Sequence, residues 1–197
     1  YLKELEETKS VYLRCNGDLS GEFAQLQETG NLEIVTCNAT HGFLPLMTQY
    51  PEAVNAQIGV GVDTYKRHMG KPPKGIWLAE CGYVPGIDSY LREWGLSFFF
   101  VASHRLWYGD PAPRYGVYRP VMTPEGVFVF ARDPESSQQV WSAEVGYPGD
   151  SRYREFYRDV GFDREEDYIR PYIDPSGERC NTGIKYYRIT GKDVSLN

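Results

Sequence analysis

Between Leu32 and Val101 short apolar runs alternate with helical segments, and this alternation constrains the fold more than any other property of the chain. Leu32-Glu33-Ile34-Val35-Thr36-Cys37 is apolar and β-branched and reads as a strand, followed by the polar loop Asn38-Ala39-Thr40-His41-Gly42. Residues 51–69 read as a helix, because Pro51 suits a first turn, Val54, Ile58, Val62 and Tyr65 recur near helical spacing, and Gly70 closes it. Gly75-Ile76-Trp77-Leu78-Ala79 is a second strand, preceded by Lys71-Pro72-Pro73-Lys74 and broken by Gly82, Pro85 and Gly86. Ile87 to Trp94 reads as a short amphipathic helix closed by Gly95, and a third strand within Trp94–Val101 ends at Ala102-Ser103-His104. Strand, helix, strand, helix, strand specifies an α/β fold with a parallel sheet and surface helices.

The flanks are less regular. Residues 1–9 read as the end of a helix already under way, without a starting Met or a cap, as in a piece of a longer protein, and a capped helix is expected from about Ser20 to Glu28. From Arg105 the texture turns to Pro, Gly, Tyr and Arg, a long surface excursion through Asp110–Pro120. Gly126–Ala131 reads as another strand. Ser137-Gln138-Gln139-Val140-Trp141 then leads into the turn Gly146–Asp150, before an amphipathic helix from Tyr153 to Val160. Residues 161–197 are polar and turn-rich.

Charge and composition narrow the partners. With 21 basic and 27 acidic residues the net charge is −6, which offers no electrostatic footprint for nucleic acid or for an anionic membrane. A neutral polymer fits better, and 16 Tyr with 4 Trp suit either a generous core or a carbohydrate-stacking surface. The cysteines at 15, 37, 81 and 180 form no metal or disulfide spacing, so reduced thiols and a cytoplasmic location are expected. No apolar run reaches transmembrane length.

Chemistry is expected where the strands end. In open sheets and barrels the carboxyl ends of parallel strands carry the active site. Asn38, Thr40 and His41 follow the first strand, Glu80 the second, and Ser103 and His104 the third. Glu80 stands where an apolar run meets a turn, and Trp77, Tyr83 and Cys81 are expected to wall it and hold it partly desolvated. A solvated or capping role is the plainer reading of such a glutamate, as a hydrogen-bonded structural role is for a lone histidine.

Gly30–Leu46, Gly75–Tyr83, and Val140–Asp150 with Arg154–Asp159 together resemble glycoside hydrolase family 57, specifically its 1,4-alpha-glucan branching enzymes. The resemblance covers nearly all of residues 30–163. It implies part of an incomplete (β/α)7 barrel over residues 1–163, with 164–197 as a polar extension of the same domain. It also implies a retaining mechanism on α-1,4-glucan, with Glu80 as the nucleophile, no cofactor and no metal. His41, which matches the family's second motif, would hydrogen-bond a sugar hydroxyl or the surroundings of the nucleophile. Trp77, Tyr83, His104, Trp141 and Tyr147, with Trp107 beside them, would form the walls and platforms that bind α-glucan. The family's upstream His-rich motif and the later motif bearing its acid/base aspartate have no match here. Glu33, Asp88, Asp110, Glu144 and Asp150 fall in segments matching other parts of the family, and none is assigned that role. An α-amylase or 4-alpha-glucanotransferase of the same family, and a non-catalytic glucan-binding remnant, are the alternatives. A carbohydrate deacetylase would need a metal held by an Asp and two His, and His41, His68 and His104 lack that spacing.

Overall fold

The computed structural model describes residues 2–150, 159–173 and 175–183, and among these the chain divides into two compact units, one up to Arg132 and one from Asp133. The first unit contains helices α1 (Leu2–Arg14), α2 (Leu19–Glu28), α3 (Pro51–Met69), α4 (Ile87–Glu93) and α5 (Ser103–Trp107). Its strands are β1 (Thr36–Cys37), β2 (Gly75–Trp77), β3 (Phe98–Val101), β4 (Val121–Met122) and β5 (Phe128–Ala131). They form one sheet in the order β1-β2-β3-β5-β4. β1, β2, β3 and β5 run parallel, and β4 pairs antiparallel at the far edge. The sheet is mostly parallel, carries helices and does not close, as expected of part of a (β/α)7 barrel.

The core lies on one face of the sheet. Val54, Ile58 and Val62 of α3 pack there with Leu91 of α4, Ile76 of β2, and Phe99 and Val101 of β3, all at 1% exposure or less. Burying each such side chain contributes about 1.5–3 kcal/mol. α3 approaches β1 closely because Gly61 has no Cβ, which would otherwise lie 2.2 Å from the Cys37 carbonyl oxygen. The opposite face is aromatic, with Phe98 against Phe100 at 5.8 Å, Phe98 against Phe130 at 5.7 Å and Trp77 against Phe100 at 5.9 Å between ring centroids. Phe128 and Phe130 on that face are exposed. The apolar-throughout strands expected of a sheet covered on both faces are therefore half-covered here.

Several boundaries differ from expectation. α1 runs to Arg14, and the strand read over Leu32–Cys37 pairs only at Thr36–Cys37. The Ile34 N–H instead donates to Gln27 Oε1 (2.8 Å), and the Ile34 carbonyl accepts from the Tyr65 hydroxyl (3.0 Å), so side chains replace a sheet partner. The third strand is followed by α5 rather than by an irregular segment.

The second unit holds α6 (Pro134–Trp141), α7 (Val160–Asp163) and α8 (Glu166–Ile169). α6 was expected only as a lead into a turn; Asp133 caps it by accepting from the Ser136 N–H (2.7 Å). The helix expected over Tyr153–Val160 lies largely outside the described residues, with Val160 opening α7.

Candidate active site

The four parallel strands of the first unit present their carboxyl ends along one edge of the sheet. That edge carries the loop 38–42 after β1, a short 3-10 turn Ala79–Cys81 after β2, the start of α5 after β3, and Arg132 after β5.

Glu80 sits in the β2 turn with φ 54 and ψ 26, and Cys81 follows at φ 53. Both are left-handed conformations that cost a non-glycine residue about 1–2 kcal/mol each. Such strain persists where the surroundings over-determine it. Here Leu78, Ala79 and Cys81 are buried at 5% exposure or less, and the Cys81 and Gly82 N–H groups donate to the Leu78 and Ala79 carbonyls at 3.0 and 2.9 Å. The main chain is thus anchored on both sides of the one residue of the turn whose side chain is exposed. The partial desolvation expected for Glu80 is not found, because the left-handed pair turns Cys81 inward while leaving the carboxylate outside.

Arg132, which the sequence reading passed over, reaches this turn from the end of β5. Its N–H donates to the Val101 carbonyl at 2.9 Å, and its guanidinium charge acts on the Cys81 thiol. Burial pushes that thiol up from its ordinary value, against the pull of Arg132. The available signal was a charged residue directly after a strand, the same signal that marked Glu80.

On the neighbouring strand end His41 is exposed and also left-handed, with φ 56. Its N–H donates to the Asn38 carbonyl (3.2 Å), and Asn38 Nδ2 donates to the Gly42 carbonyl (2.7 Å). Gln57 of α3 holds the loop from the helix side. Its main-chain carbonyl accepts from the Ala39 N–H (2.9 Å), its Oε1 accepts from the Thr40 N–H (3.0 Å), and its Nε2 donates to Thr40 Oγ1 (2.8 Å).

The remaining candidates separate. Trp77, the last residue of β2, is half-buried on the aromatic face. Tyr83 is half-buried, its ring 4.9 Å from that of Phe99 and its hydroxyl donating to Asp88 Oδ1 (3.1 Å). Burial first, and then the Asp88 carboxylate, push its phenol above the ordinary value. It packs against the core two residues beyond the turn. His104 is exposed in α5, and Trp107 closes that helix at 49% exposure. Trp141 and Tyr147 belong to the second unit, where both are exposed, and Tyr147 lines a hollow of about 370 Å³ with Gln139, Glu144 and Asp150. Among the described residues no three His, Cys, Asp or Glu side chains are grouped so as to hold a metal ion, and no helix is long and apolar enough to cross a membrane.

Residues 6–193 match the model of glycosyl hydrolase family 57. The chain is 38% identical to a 1,4-alpha-glucan branching enzyme of Thermococcus kodakarensis over 92% of its own length and 28% of that enzyme's. Among solved structures, the alpha-amylase AmyC of Thermotoga maritima is 64% identical with a TM-score of 0.90, over 98% of this chain and 38% of that one. A branching enzyme of Pyrococcus horikoshii is 35% identical with a TM-score of 0.75, over 96% and 34%. The chain therefore spans between about a quarter and two fifths of these relatives.

Proposed function

The chain belongs to glycosyl hydrolase family 57, and from that membership we propose that it is part of a retaining α-glucan-active enzyme in which Glu80 is the nucleophile. The observation that carries the reading is the strained, well-anchored turn that presents Glu80 as its exposed side chain at a parallel strand end. A glutamate kept there for solvation alone has no need of a left-handed backbone.

The chemistry runs in two halves. A Glu80 oxygen attacks the anomeric carbon, the bond to the glycosidic oxygen breaks, and that oxygen takes a proton from the second carboxyl group that a retaining reaction requires. The glycosyl ester on Glu80 is then attacked by an acceptor hydroxyl, whose proton passes to the same second group as the carboxylate of Glu80 is released. No acid in this chain is assigned the proton-transfer role. We further propose transfer to a glucan 6-hydroxyl, giving α-1,6 branches in a cytoplasmic glycogen-like polymer. His41, Trp77, Tyr83, His104, Trp141 and Tyr147 are proposed contributors to binding the α-glucan. The 64% identity to a protein described as an alpha-amylase supports hydrolysis as a second reading.

A mechanism-based α-glucosyl fluoride tests the nucleophile, because fluoride departs without acid assistance. The expected result is one glycosyl adduct on the peptide bearing Glu80, abolished in Glu80→Gln. An unlabelled wild-type chain, or equal labelling of Glu80→Gln, overturns the assignment. Products from linear amylose separate the two readings in the enzyme carrying this chain, since branching creates linkages that isoamylase cleaves and hydrolysis only new reducing ends.

A further inference from the structure

We propose that Asn38 and Gln57 are positioning residues that clamp His41 at the active-site edge in a backbone conformation the histidine would not keep by itself. The inference rests on the reading of Glu80 as nucleophile with His41 on the adjacent strand end. β1 and β2 are in register with Cys37 opposite Trp77, and His41 and Glu80 stand four and three residues beyond that pair.

The loop between β1 and the next turn is held by side chains on both sides of His41, which is itself held only through its main chain, its N–H on the Asn38 carbonyl at 3.2 Å. Asn38 spans it from the first residue after the strand, its Nδ2 bonded across to the Gly42 carbonyl at 2.7 Å. Gln57 takes Ala39 and Thr40 through three hydrogen bonds of 2.8–3.0 Å. His41 alone is left-handed within the loop, and it is exposed. Fixing the residues on either side leaves its φ no room to relax, so the direction of its Cα–Cβ bond is set by neighbours and not by its own preference.

A second observation concerns the Asn38 side chain itself. Asn38 is 1% exposed, yet its Oδ1 is buried with no hydrogen-bond partner. Buried amides that serve only the fold are ordinarily satisfied at both ends. Asn38 commits its donor to the turn that carries His41, with its Oδ1 left without a protein partner as Gln27 Nε2 is beneath Ile34. Gln57 lies one turn of α3 from Gly61, the residue that lets this helix approach β1 closely, so the helix is docked where its glutamine can reach the loop.

The test is a double-mutant cycle on the rate at which the glucosyl fluoride labels Glu80 at saturation. Asn38→Ala and His41→Ala are each expected to slow labelling about tenfold, a modest share of what a misplaced group costs. The double variant is expected to be no slower than His41→Ala, because Asn38 acts through His41. Asn38→Asp, similar in shape but with an acidic oxygen in place of the Nδ2 donor, is the second variant beside alanine, and Gln57→Leu should reproduce the effect from the helix side. Wild-type labelling in Asn38→Asp, or an equal slowing of the His41→Ala background, overturns the clamp. Should the unmodified chain resist labelling, the nucleophile reading falls, and the clamp is read from the His41 amide–Hα coupling. A change in that coupling in Asn38→Asp supports the clamp, and an unchanged one overturns it.

Discussion

Two buried polar side chains, one in each unit, pin the chain in similar ways and differ in how fully they are satisfied. Asp159 is 2% exposed, and its Oδ1 accepts from the Gly161 N–H (2.8 Å), the Thr182 N–H (2.9 Å) and Thr182 Oγ1 (2.9 Å). Its Oδ2 accepts from the Gly183 N–H at 3.1 Å. Asn38 is buried to the same degree, but it spans only four residues and leaves an oxygen unpaired. Asp159 ties segments more than twenty residues apart and meets its hydrogen-bonding capacity, which is how a group that contributes stability is built. Asn38 lies at the carboxyl end of a parallel strand beside a strained histidine, where completeness has given way to placement. The contrast teaches that a buried polar residue is read by its unmet bonds as well as by its depth.

The largest effect is expected at Asp159. Asp159→Ala removes four acceptor contacts and leaves the buried Gly161 N–H and the half-buried Thr182 donors without them, so the second unit should lose about 3 kcal/mol, measured by urea denaturation. Exchange of the Gly161, Thr182 and Gly183 amides should rise with it. Unchanged stability would break the comparison by showing that the anchor is redundant.

Acid should reproduce that loss in graded form. Burial by itself would raise the Asp159 carboxyl, but the N–H groups of Gly161, Thr182 and Gly183 and the Thr182 hydroxyl outweigh it and hold the value at about 2, below the ordinary 3.8. An unfolded chain therefore takes up the proton first as pH falls. The stabilisation is complete above the ordinary value and is lost progressively as pH falls through about 2. In Asp159→Asn the part of the acid sensitivity between those limits should disappear from denaturation profiles. Its persistence would assign that sensitivity to other carboxylates.

The sequence revealed elements that carry their own boundaries. α3 was legible end to end because Pro51 opens it, Gly70 closes it in a left-handed cap at φ 73, and four apolar residues keep helical spacing between them. β4 was not legible: two residues, Val121 and Met122, carry no periodicity and exist through pairing with β5. The strand read from Leu32 was too long because Gln27 and Tyr65, distant in sequence, satisfy Ile34 before a sheet can. α6 had a readable start in Asp133-Pro134-Glu135, an N-cap followed by Pro at the first position, and was passed over among turn residues. At the candidate site, strand ends pointed to Glu80 and His41, whereas their left-handed backbones depend on Cys81 being buried and on Gln57 arriving from α3. Tyr83 shows the limit of composition: an aromatic next to a carboxylate reads as a wall for a ligand, and its contacts with Phe99 and Asp88 are not legible in the sequence.

The smallest expected effect sharpens the comparison most. Asn38→Ala should change stability by about 1 kcal/mol or less, despite burial as deep as that of Asp159. Two contributions oppose each other: one hydrogen bond to Gly42 is lost, worth about 1 kcal/mol, while a buried acceptor without a donor, itself a penalty of about 1–3 kcal/mol, is removed. The small void left behind offsets part of that gain. Denaturation of Asn38→Ala and Asp159→Ala in parallel therefore discriminates directly. A loss at Asn38 comparable to that at Asp159 would mean that Oδ1 has a partner, such as a bound water, and that the residue serves the fold. A near-neutral change combined with slower labelling of Glu80 would separate placement from stability in a single side chain.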